Sequence, residues 1–202
     1  MKKVDLGYSF AISLLVGLFL LPILVSTDLY SKLPTPLVFI GLFGILPVVT
    51  LVGISIAWFI GKKIAILWQF SKFALVGVLN TAIDFGILNL LILLTGITSG
   101  LGIIPLNAVS FTTAVINSFF WNKKWVFQSR KDANFLTFFA ITLIGLSINS
   151  GIVYMITTFV PPVFISSNTI WVNIAKVLAT GVSLVWNFTG YKLIVFKKSS
   201  SD

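Results

Sequence analysis

SKFALVGVLNTAIDFGILNLLILLTG, residues 71–96, decides the fold. It holds one charge near its start and then an almost unbroken apolar run, interrupted in the middle by Asn80 and Asp84. A run of this length matches the ~20 residues that cross a ~30 Å hydrocarbon layer. Asp84 follows Lys72 by twelve residues, roughly 18 Å along a helix, which sets the carboxylate near mid-depth. A charge there costs at least ~2.5–3.5 kcal/mol, so such residues face a cavity or a partner and mark function. Asn80 lies one turn earlier on the same face.

The rest of the chain agrees. Of 202 residues, 57% are hydrophobic and 9% charged, whereas a soluble domain is nearer 45–50% apolar and a quarter charged. Reading outward from residues 71–96 gives six expected spans: Gly7 to Ser26, Pro36 to Gly61, Ser71 to Gly96, Gly102 to Asn122, Asn134 to Phe159 and Ile170 to Phe196. The expected fold is an all-α polytopic membrane protein, with no length left for an appended catalytic domain. The first run follows Lys2, Lys3 and Asp5 and lacks a small-residue cleavage site, so it reads as a helix and not a signal peptide.

Charge orients the spans. One set of connecting segments holds Lys2, Lys3, Lys62, Lys63, Lys72, Lys123, Lys124, Arg130, Lys131, Lys192, Lys197 and Lys198, and the opposite loops hold only Lys32. The positive-inside rule puts both termini in the cytoplasm of a cell (plasma or inner) membrane protein. The net charge of +9 therefore records topology and contact with anionic lipid, with no nucleic-acid partner implied. Cys and His are both absent, which removes thiolate nucleophiles, imidazole bases and the usual zinc ligands. No catalytic residue, metal or cofactor is expected, and an enzyme is the least supported class.

Sliding the chain on itself by 69 residues brings Asn80-Thr81 onto Asn149-Ser150, Phe119 onto Phe188, Lys123 onto Lys192 and Val126-Phe127 onto Val195-Phe196. Coincident Asn and Lys inside membrane segments point to duplication. Each copy has two spans, so the copies are parallel repeats forming a four-helix core. The expected division is a helix pair over 1–66 followed by the core domain over 67–198.

Two polar stripes run along core helices. Lys176, Thr180, Ser183 and Asn187 follow spacings of 4, 3 and 4, and Asn107, Ser110, Thr113 or Ala114, Asn117 and Trp121 form a similar track. Single Ser, Thr and Asn residues also bond neighbouring helices at ~0.6 kcal/mol each, but two full-length stripes suggest a path. Amides and hydroxyls suit sugar hydroxyls, and Lys suits a phosphoryl oxygen. At the Lys-rich boundary, Asn122, Lys123 and Trp125 close the fourth span, and Tyr191 and Lys192 close the sixth. The expected substrate-binding set is Asn80, Asp84, Asn117, Asn122, Lys123, Trp125, Asn149, Lys176, Thr180, Ser183, Asn187 and Lys192. The reading requires a solvated groove among the last four helices, with Asp84 and Lys176 bordering one chamber.

Phe73-Ala-Leu-Val-Gly-Val-Leu-Asn80-Thr-Ala-Ile-Asp84-Phe, Ser118-Phe-Phe-Trp-Asn122-Lys-Lys-Trp125-Val-Phe127, Ala175-Lys176, Ser183-Leu-Val-Trp-Asn187-Phe and Val195-Phe196 follow one another over about two thirds of the chain. In these motifs and their order the chain resembles the GtrA-like family of small membrane proteins. The resemblance implies a flippase that moves a polyprenyl-phosphate-linked sugar from the cytoplasmic to the outer leaflet, for surface polysaccharide or cell-wall glycosylation. The family's polar positions fall on Asn80, Asp84, Asn122, Lys123, Trp125, Lys176 and Asn187. Two features depart from the pattern: Tyr191 and Ile194 stand where the family often has Asn and Trp, and two helices precede the usual four. The rival reading is a non-transporting membrane anchor for a glycosyltransferase, and a weaker third is a small-solute exporter with Asp84 as a proton-coupled carboxylate. Four core helices are few to enclose a headgroup, so a homo-oligomer is expected.

Overall fold

The computed structural model describes residues 1–26, 29–97, 103–128, 134–161 and 168–196. Among the described residues six helices follow one another: α1 (Lys3–Ser26), α2 (Thr35–Gly61), α3 (Ala65–Thr95), α4 (Ile103–Trp121), α5 (Phe135–Phe159) and α6 (Asn168–Gly190). Among the described residues there is no strand. The protein is an all-α, multi-pass membrane protein, and α1, α2 and α3 are each long and apolar enough to cross by themselves.

The observed ends depart from the apolar runs for local reasons. Helix α1 starts at Lys3, four residues before the apolar run, because the Asp5 carboxylate accepts from the Lys2 amide at 3.0 Å and satisfies a donor left open at a helix start. Helix α3 starts six residues early, at Ala65, since Ala65 to Phe70 carry no breaker. It stops at Gly96, whose φ of 70° supplies the left-handed conformation that closes a helix. In α2 a π turn over Gly41–Ile45 lies just ahead of Pro47. Proline has no N–H to give to the carbonyl four residues back, so the helix there widens by one residue.

By compactness the chain divides into two units, Met1–Val126 and Phe127–Asp202. In the first, α1 packs along α3, α2 packs on both, and α4 lies against α3. Close approach depends on small residues: a Cβ on Gly86 would strike the Phe19 backbone, and one on Gly17 would sit 2.7 Å from the Leu42 carbonyl oxygen. Lipid provides no hydrophobic drive between helices, so such backbone proximity is what holds a membrane bundle. Ser9, Ile12, Ser13 and Val16 form the buried stripe of α1. In the second unit α5 and α6 form an antiparallel pair. There Phe127 stacks face to face on Phe196, 4.9 Å between centroids and 9° between planes.

Candidate polar site

Four polar rungs join α3 to α4 and the turn that follows it. Gln69 Nε2 donates to the Val126 carbonyl at 3.2 Å, and Lys72 Nζ to the Trp125 carbonyl at 3.1 Å. Asn117 Nδ2 donates to Asn80 Oδ1 at 2.8 Å, and Ser110 Oγ to Asp84 Oδ1 at 2.8 Å. As the donor or acceptor on α3 advances, its partner on α4 recedes in step, the signature of an antiparallel pair. At ~0.6 kcal/mol per membrane hydrogen bond, the rungs fix register more than they add stability. Asn80 and Asp84 share the face expected of them, and that face meets α4. Both remain half-buried.

The stripe on α4 resolves into its parts. Ser110 and Ala114 are buried and Asn117 half-buried, while Thr113 is exposed and bonds back to the Val109 carbonyl of its own helix. Ala114, not Thr113, keeps the stripe. The side chains of Asn107, Asn149, Lys176 and Thr180 lie outside the described residues. Ser183 and Asn187 are half-buried on α6. Asn187 sits against bare backbone, since a Cβ on Gly145 would strike its amide.

The helix ends share an irregularity that sequence periodicity did not announce. Helix α4 runs on into a π turn over Asn122–Val126, and α6 into one over Tyr191–Val195. Their first residues are 69 apart, the same shift that aligned the sequence. In each, the Lys in second place lies over the Phe four residues earlier: Lys123 Nζ is 6.0 Å from the Phe119 ring and Lys192 Nζ 5.9 Å from the Phe188 ring. Such turns carry a backbone hydrogen bond to the fifth residue, as in Phe196 N–H to Tyr191 O at 2.8 Å, and they recur at functional sites.

The first residue of the first turn, and a residue on the helix ahead of the second, each have a buried amide oxygen with no donor. Asn122 is fully buried and its Nδ2 donates to the Ser118 carbonyl at 2.8 Å and hydroxyl at 3.2 Å, which fixes the amide orientation and leaves Oδ1 unpartnered. Asn187 Oδ1 is likewise unpartnered. A buried acceptor left open costs ~1–3 kcal/mol, so each is a place for a hydrogen-bond donor.

Sequence reasoning missed Asp5 and passed over Lys72 as a topology anchor. Both are buried, Asp5 6% and Lys72 4% exposed. Trp125 Nε1 donates to Asp5 Oδ1 at 3.0 Å, and Tyr8 packs edge-on against Trp121 and Trp125. One signal was available: Asp5 is an acid in a segment otherwise selected for Lys.

The GtrA/DPMS transmembrane-domain model matches residues 72–196, more than half of the chain. The chain belongs to that family. Among curated proteins, the uncharacterized membrane protein YngA of Bacillus subtilis (strain 168) is 28% identical over 128 residues, covering 63% of this chain and 79% of YngA. No solved structure gives a significant match. The GtrA/DPMS match takes in both π turns, all four rungs except Gln69, and both unpartnered amides, whereas α1 and α2 precede it.

Proposed function

We propose that the protein is a flippase for a polyprenyl-phosphate-linked monosaccharide, working without a covalent step in the plasma or inner membrane with both termini cytoplasmic. Membership of the GtrA/DPMS family supports this class. The observation that carries the reading is the recurrence, 69 residues apart, of a π turn with Lys over Phe, together with two Asn side chains, Asn122 and Asn187, whose buried carbonyl oxygens lack a donor. A phosphate and a hydroxyl-rich headgroup need that combination, a compact cation and open amide acceptors.

The headgroup enters near Lys123 and Lys192, and the isoprenoid tail stays in lipid. Asn122, Trp125 and Asn187 are assigned to headgroup binding, and Asn80, Asp84 and Asn117 to the exchange of hydrogen bonds with sugar hydroxyls. On α6, Lys176, Thr180 and Ser183 carry the outward half of the path, with Lys176 taking the phosphate, and Asn149 is the counterpart of Asn80. No nucleic acid, metal or cofactor takes part. A glycosyltransferase that uses the delivered sugar and a second copy of the chain are the partners this scheme calls for.

The test is transport of a short-chain prenyl-phosphate sugar in reconstituted vesicles. The parent moves it, and Asp84→Asn and Lys176→Ala slow it at least tenfold. Variants as fast as the parent refute the residue assignment. A parent that moves nothing yet co-purifies with a glycosyltransferase transfers the case to the anchor reading.

A further inference from the structure

The match to the GtrA/DPMS family begins at Lys72, so Asp5 comes from outside the family domain, yet it closes a buried polar cluster within it. Lys72 is a buried cation whose Nζ donates to the Trp125 carbonyl at 3.1 Å and rests 5.3 Å from the Trp68 ring and 5.8 Å from the Trp125 ring. Among the described residues it makes no ion pair within 4.0 Å and no second hydrogen bond. An ammonium has three donors, so two are spare. The Trp125 indole N–H, on the same residue that accepts from Lys72, goes to Asp5 Oδ1 at 3.0 Å. Removing Asp5 leaves a desolvated ammonium with spare donors beside a buried N–H donor, the elements of an anion site. A buried cation requires a counter-charge, and the carboxylate that acts electrostatically on Lys72 is Asp5, carried on the first turn of α1.

The second copy supports the same assignment by contrast. Under the 69-residue shift, Lys72 falls on Ile141 and Trp125 on Ile194, so neither the cation nor the indole recurs. The cluster exists only where α1 is present to answer it. The spare donors on Lys72 set it apart from a closed internal pair.

We propose that Lys72 Nζ and Trp125 Nε1 form a phosphate-binding site in which the Asp5 carboxylate is a tethered, displaceable occupant, so that α1 gates entry of an anionic headgroup. The site rests on the geometry above, and the choice of a phosphate ester as ligand rests on the proposed function. When the first turn of α1 frays, Trp125 and Lys72 are left to one phosphoryl oxygen set.

Binding of geranyl phosphate, and separately of inorganic phosphate, to the detergent-purified full chain tests this by calorimetric titration. Asp5→Asn keeps the shape and removes the competing charge, and it tightens Kd about five- to tenfold, the effect of one lost charge competitor. Tightening for geranyl phosphate alone identifies a lipid headgroup, and tightening for both ligands identifies phosphate itself. Unchanged or weaker binding of both overturns the proposal and makes Asp5 a structural staple. The double variant Asp5→Asn, Lys72→Met removes both buried charges together and leaves no orphaned ion. It loses the binding the parent has, and retention of parental affinity overturns the site even if the single variant does not fold. Neither readout uses transport, so a failed vesicle assay with these shifts intact removes the flippase reading and leaves the anion site standing.

Discussion

The two π turns that end α4 and α6 make a comparison within one chain. Both put a Lys over a Phe, and an Asn with an open acceptor accompanies each at a different place, Asn122 within the first turn and Asn187 ahead of the second. Their coverings differ. The first is roofed by α1, with Asp5 and Tyr8 on Trp125, which is 1% exposed. The second is closed from within its own hairpin: Tyr191 stacks on Phe138 at 4.2 Å and shares a 2.6 Å hydrogen bond with Thr142, while Ile194 stays 62% exposed. The backbone device persists while its packing partner changes, so the device and not the partner is the common element.

Positions 69 residues apart also exchange size. Where the first hairpin has Val76 and Ser118, the second has Gly145 and Asn187, and where the first has Phe73 and Asn122, the second has Thr142 and Tyr191. Bulk moves from one helix to the other and the sum stays similar, as a close-packed interior requires.

Three substitution experiments press on this contrast, each read as unfolding free energy in detergent. Trp125→Ala has the largest effect, a loss of about 3–5 kcal/mol from a filled interior, whereas Ile194→Ala at the matching exposed position changes stability by under ~0.5 kcal/mol. Equal losses would mean the second turn is covered as the first is. Next, Gly145→Val drives bulk into the Asn187 amide and costs about 2–3 kcal/mol. Adding Asn187→Ser, which copies the first hairpin, recovers at least ~1 kcal/mol through coupling between neighbours. No recovery would break the size exchange. The smallest change is Tyr191→Phe, which keeps the ring stack and removes the bond to Thr142, for about 0.5–1.5 kcal/mol.

Much of this was legible in the residues. Asp84 and Asn80 stood out because a polar group inside an apolar run is costly without a partner, and Ser110 and Asn117 are those partners. Lys123 and Lys192 stood out through the 69-residue shift. The π turns were hidden because an altered backbone hydrogen-bond pattern leaves no side-chain period to read. Asp5 and Lys72 were hidden because charges at span ends ordinarily report topology, and only tertiary packing buries these two. The widened turn ahead of Pro47 was within reach of local rules, since a missing N–H in a helix interior must be accommodated somewhere.

The ladder between α3 and α4 has a mechanical consequence. Its rungs extend from Gln69 to Asp84 along one helix, so a lengthwise slip by one turn, about 5.4 Å, would unmake all of them together. Rocking of the hairpin about one end would strain only the far rungs. Any relative motion of this pair that spares part of the ladder is therefore a tilt, not a piston.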